Sequence, residues 1–135
     1  MAGVERSQLA DIIDDPDEFI SRLCIMHKKR QRLARFELNK AQEILLDTLK
    51  SHNRIIVLKA RQLGISTLTR AWNFWQAYTA DQPRQFAVIS HTRSSAEELH
   101  RIEKTFYHNL PKPLRRPLSK SSARTIQFEN TGAEL

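Results

Sequence analysis

Apolar residues recur along this chain at two different spacings. In "DDPDEFISRLCIMHKK", Phe19, Leu23 and Met26 share one face of a helix. Asp15 suits its N-cap, Pro16 its first position, and Glu18 stands where a reciprocal capping-box partner belongs. After the turn-rich "ARFELNKAQ", Asn39 caps a second predicted helix, whose stripe is Ala41, Ile44, Leu45, Thr48 and Leu49. Beyond "SHN" the spacing changes. "RIIVLK", residues 54–59, is short, β-branched and almost continuously apolar, as a parallel strand covered on both faces would be. Past a turn at Gly64, Leu68, Ala71, Trp72, Trp75 and Tyr78 return to helical spacing. "QFAVIS" reads as a second buried strand, and "HTRSSAEELHRIEKTFYHNL" as a helix with Ala96, Leu99, Ile102 and Phe106 inward. Residues 111–122 read as a loop and "RTIQFEN" as a third strand.

This alternation predicts an α/β fold with a partial, mostly parallel sheet, right-handed crossovers and helices on both faces. Residues 1–38 would form a helical extension and residues 39–135 the core. A chain stopping just after a predicted strand implies an unfinished sheet, whose open edge invites self-association.

The 135 residues suit one domain, and 40% hydrophobic with 27% charged residues suits a globular chain. No apolar run approaches the length of a signal core or a membrane span, so the expected location is the cytoplasm, with no membrane partner. The one cysteine, Cys24, reads as an apolar helix residue beside a solvated His27 rather than as part of a metal site, which needs three or four ligands.

A formal charge of +7 predicts attraction to polyanions. The cations concentrate in "KKRQRLAR", residues 28–35, and in "KPLRRPLSKSSAR", residues 112–124, with no acidic residue in either run. Each reads either as a duplex-DNA contact or as a solvated face.

The stretch "KARQLGIS" compares with the phosphate-loop pattern GxxxxGK[ST]. Lys59 takes the first glycine's place, Gly64 is kept, Ile65 stands where lysine is usual, and Ser66 keeps the hydroxyl. The pattern is broken, but a predicted strand precedes the loop and a helix follows it. A lysine at the loop's start has reach enough to deliver its ammonium from the opposite side, and Arg61 adds five donors. The alternative is structural: Gly64 makes a turn, Lys59 and Arg61 are solvated, and Ser66 or Thr67 caps a helix.

"LKARQLGIST" resembles the large subunit of tailed-phage terminases, the ATP-driven motors that package DNA, some of which carry the lysine at the loop's start. The resemblance extends to "FELNKAQEILLDTL", "FAVISHTRSSAEELHRIEKTFYHNLP" and "TIQFENTGAEL". It implies the N-terminal part of a P-loop ATPase domain that binds ATP and Mg2+ for viral genome packaging. On it, Lys59 and Arg61 serve the phosphates catalytically, and residues Lys59, Ala60, Arg61, Gln62, Leu63, Gly64, Ile65, Ser66 and Thr67 form the nucleotide loop. Ser66 holds the metal and Gln42 reads adenine, although Gln42 also stands at N3 behind Asn39, where it completes a capping box. Implied partners are double-stranded DNA and, in a complete enzyme, a terminase small subunit and the portal or prohead.

Hydrolysis would also need a strand-end aspartate and a following glutamate, and no apolar strand here ends in that pair. Turnover is therefore not expected of these residues alone. Two rival readings are a helicase-like nucleic-acid motor and a non-catalytic basic module for DNA or subunit binding.

Overall fold

The structure is a computed structural model that describes residues 6–27, 30–61 and 63–135. Five α-helices form its larger part: α1 (Arg6–Asp14), α2 (Pro16–Ser21), α3 (Lys40–Ser51), α4 (Ile65–Thr79) and α5 (Arg93–Asn109). Four short strands, β1 (Cys24–His27), β2 (Arg32–Arg35), β3 (Leu118–Ser121) and β4 (Ile126–Phe128), make two separate antiparallel hairpins, and a 3-10 turn spans Lys112–Leu114.

Helix α4 is the organising element. Helices α2, α3 and α5 all pack on it, and Leu68, Ala71, Phe74 and Ala77 have no exposed surface. The aromatic centre of the core joins distant parts of the chain. Phe19 lies 4.8 Å from Tyr78 between ring centroids, and Phe74 meets Phe106 and Phe128 edge-on at 5.9 and 5.6 Å. Such tilted and edge-on arrangements suit the ring quadrupoles and add to the burial energy. Polar ties fix the periphery. Trp75 Nε1 donates to the Ile13 carbonyl at 2.8 Å, holding α1 on α4, and Lys50 pairs with Asp17, joining α3 to α2.

Local chemistry explains the helix starts. Asp15 caps α2 by accepting from the Asp17 amide at 2.9 Å, and Pro16 occupies the first turn. Asn39 and Gln42 form a complete capping box at α3, and Thr92 caps α5 through the Ser95 amide.

The expected parallel P-loop core is absent from the described residues. Both sheets are two-stranded and antiparallel, and among the described residues the one parallel contact is an isolated bridge between Gln85 and Glu134. Residues 54–59, predicted as a strand covered on both faces, join no ladder, and Ile56 and Leu58 are 99% and 101% exposed. "QFAVIS" contributes only its first residue to a bridge, and Ile89 is 95% exposed. An apolar run becomes a sheet strand only when a neighbouring backbone pairs with it. The first segment finds no such neighbour, and the second finds one only at its start, beside Glu134.

Three further expectations are corrected. The helix predicted to run through Met26 stops at Ser21, and Cys24–His27 pairs with Arg32–Arg35 instead. Glu18 does not close a capping box; it pairs with Arg22 one turn on. Residues 118–121, read as loop, pair with Ile126–Phe128, so the third predicted strand exists but is antiparallel. Gly132, at φ 68°, then reverses the chain so that Leu135 exchanges both backbone bonds with Ile126.

Candidate functional site: a basic hairpin and a polar cleft

The loop singled out by its sequence forms one wall of a cleft of about 640 Å³. Lys59, Arg61, Gly64, Ser66 and Thr67 line it from the loop and the start of α4, and Ser95, Glu98 and Leu99 face them from α5. Gly64 is the N-cap of α4, with φ 70° and no side-chain cap, so the first amides of that helix keep their donor capacity. Lys59, Ala60, Arg61 and Ser66 are exposed, Leu63 is at the surface, and Thr67 is half-buried. Ile65, which occupies the usual lysine position, belongs to the hydrophobic core. Gln62 lies outside the described residues.

Gln42 sits behind this loop, not in front of it. It is 4% exposed; its Oε1 accepts from the Asn39 amide at 2.9 Å and its Nε2 donates to the Gly64 carbonyl at 2.8 Å. Asn39 Nδ2 donates to the neighbouring Leu63 carbonyl at 3.1 Å. The capping box of α3 thus also positions the turn into α4. The cleft suits a phosphate group in its cations and hydroxyls. Among the described residues no group of three or more His, Cys, Asp or Glu converges.

The two basic runs have different fates. In 112–124, Arg115 is spent inside the fold: its Nη2 donates to the carbonyls of His108 and Leu110 at 2.8 and 3.0 Å, closing the end of α5. Arg116 lies 4.1 Å over the Tyr78 ring and donates to the Tyr78 carbonyl at 2.7 Å. Arg124 pairs with Glu97. Only Lys112 and Lys120 remain as exposed cations without a bonding partner among the described residues.

The first run lies on the β1–β2 hairpin. Lys28 and Lys29 fall outside the described residues. Arg30, Arg32 and Arg35 are exposed, and none makes a side-chain hydrogen bond or ion pair among the described residues. The pairing sets Met26 opposite Leu33 and Ile25 opposite Ala34. Because residues directly opposite share a face and Ile25 packs on the core, Met26 and Leu33 point outward, 54% and 46% exposed. Arg35, opposite Cys24, shares that outer face. Sequence reasoning missed this surface because residues 19–26 also fit a helical stripe.

No protein-family model matches the chain, and no curated protein is found similar to it. The packaging-ATPase reading is corrected by the fold. A P-loop motor presents its phosphate loop from a strand of a parallel sheet, and the residues before this loop belong to no sheet. A terminase, a P-loop or Walker A motif and ATP binding are without support for the same reason. The described helices include none long and apolar enough to cross a membrane.

Proposed function

We propose that this chain is a non-catalytic binding module for duplex DNA, gripping the phosphate backbone with the β1–β2 hairpin. The observation that carries this reading is that Arg30, Arg32 and Arg35 project from a two-stranded ribbon without internal partners among the described residues. Residues 21–36 contain no acidic side chain, so no carboxylate within that segment opposes an approaching polyanion. A two-stranded ribbon also has the width that a DNA major groove admits. Met26 and Leu33 add a small apolar face suited to sugar edges and thymine methyl groups. Lys59 and Arg61 supply a second phosphate contact for a backbone that reaches the cleft.

Phosphate contact releases condensed counterions, so affinity must depend steeply on salt and little on sequence. If three hairpin cations each neutralise one phosphate, affinity falls roughly 40-fold between about 50 and about 200 mM salt. Fluorescence anisotropy with two labelled duplexes of unrelated sequence measures this. Affinity that stays flat as salt rises, or that survives Arg30→Gln/Arg32→Gln/Arg35→Gln in the folded protein, would overturn the proposal.

A further inference from the structure

A second cavity, of about 390 Å³, lies between α4, α5 and the extended residues 85–88, lined by different residues from those of the cleft. Its charged and titratable lining is Arg70, Arg93, Glu97, His100, Arg124 and Glu134. Two of these guanidinium groups share one carboxylate: Arg93 Nε and Arg124 Nε both donate to Glu97 Oε1, at 3.2 and 3.3 Å. One carboxylate compensates two cations there, and the terminal nitrogens of both arginines make no hydrogen bond among the described residues.

Deeper in the wall, His100 and Arg70 are almost wholly buried. Glu103, with no exposed surface, pairs with Arg70 and stands 2.9 Å from His100 Nδ1. The carboxylate paired with the guanidinium accepts the bond from Nδ1, which places the proton of the neutral imidazole on that nitrogen and leaves Nε2 an acceptor, with the Ser122 backbone as the other polar group beside the ring. His100 Nε2 and Arg70 Nε are both buried and without a partner. Native structures rarely leave such atoms unpaired without a ligand, water or catalytic reason.

We propose that this cavity binds a small phosphomonoester carrying free hydroxyl groups. Anionic phosphate oxygens meet the unused nitrogens of Arg93 and Arg124, and one of them accepts from Arg70 Nε. The acceptor at His100 Nε2 is met by a ligand hydroxyl or by the protonated oxygen of the phosphate. Glu134, whose backbone is held by Arg84 and Phe86, lines the same cavity; in the proposed complex its carboxylate takes a ligand hydroxyl as donor, whereas against a bare phosphate it is repulsive. The hydroxyl requirement follows from that acceptor pair, and Phe86 and Val88 supply an apolar wall for the ligand's carbon frame.

The test is calorimetric titration of the whole chain with glucose 6-phosphate, inorganic phosphate and glucose, alongside NMR of the His100 imidazole. Glucose 6-phosphate should bind more tightly than inorganic phosphate by several-fold, glucose should not bind, and the His100 ring resonances should move only with the two phosphates. Arg124→Gln, at an exposed position that the fold tolerates, should weaken binding about tenfold, the scale of one lost charged contact. Lys59→Gln and Arg30→Gln should bind as the wild type does, which separates this cavity from the cleft and from the hairpin. The proposal is overturned if Arg124→Gln binds as tightly as the wild type, if Lys59→Gln abolishes binding, or if no phosphate moves the His100 signals at millimolar concentration.

Discussion

Gln42 Nε2 donates to the carbonyl of Gly64 at 2.8 Å while Gln42 Oε1 accepts from the amide of Asn39. One buried carboxamide therefore closes the start of α3 and holds the start of α4. A Cβ on Gly64 would lie 2.5 Å from that same Nε2, and the residue's φ of 70° already disfavours any other side chain.

Gln42→Ala should cost about 1–2 kcal/mol of stability, from the lost cap and the lost bond to the Gly64 carbonyl, which keeps only the Leu68 amide. Gly64→Ala should cost at least ~1–2 kcal/mol from the left-handed backbone alone. The pair should cost less than the sum, because removing Gln42 removes the obstacle to the new methyl. Urea denaturation of the three variants decides this, and strict additivity would contradict the contact.

The buried pair of Arg70 and Glu103 should show the asymmetry of desolvated ions. Burial pushes the Arg70 guanidinium down to about 10, so it remains charged at neutral pH. Glu103→Gln leaves that charge buried and unpaired and should cost about 3–5 kcal/mol. Arg70→Met/Glu103→Leu removes both ions and should recover most of the loss. Thermal denaturation that ranks the double variant below the single one would refute this account.

His100 should give the protein an acid-sensitive stability. Burial holds its imidazole below the ordinary histidine range, the cations of Lys104 and Arg70 push the same way, and the Ser122 backbone opposes them. Glu103 faces the ring as its hydrogen-bond acceptor. A depressed folded-state value means that the neutral ring belongs to the native state. The contribution is fully present above the unfolded value of about 6.5 and is lost as pH falls through the lower folded value. Chemical denaturation at intervals from neutral to mildly acidic pH should show this loss, and His100→Gln should flatten that part of the profile.

The two basic runs should separate experimentally. Arg115→Gln and Arg116→Gln lose carbonyl bonds and a ring contact, so they should lower the melting temperature and hardly change the salt slope of DNA binding. Each of Arg30→Gln and Arg35→Gln should do the reverse, reducing the slope by about one unit. Equal slopes for all four variants would remove the distinction drawn between spent and unspent arginines.

Ile56 and Leu58, fully exposed on an unpaired extended segment, should promote association through backbone pairing at high concentration. Ile56→Thr/Leu58→Lys should leave stability within about 0.5 kcal/mol, since neither side chain is buried. Sedimentation at rising concentration should then show less association than for the wild type.

The sequence by itself determined what a few neighbouring residues settle. Asp15 with Pro16, Asn39 with Gln42, and the turn at Gly64 were legible because a cap or a left-handed turn depends on chemistry within one helical turn. The stripe of α4 was legible for the same reason; that of α3 put Ile44 inward, where the fold leaves it exposed and buries Gln42 and Leu46 instead, and that of α5 missed that His100 and Glu103 face inward with Phe106. Their burial depends on Arg70, which reaches them from another helix. Only the tertiary structure decided the strands. The run 54–59 has every local mark of a buried strand and stays unpaired, whereas Cys24–His27, which fits a helical stripe, pairs with Arg32–Arg35. A strand exists through its partner's hydrogen bonds, and residue spacing within one segment carries no information about which partner the fold will bring. Candidate phosphate contacts were therefore visible as residue types at Lys59, Arg61 and Arg30, while their setting was a matter of tertiary pairing alone.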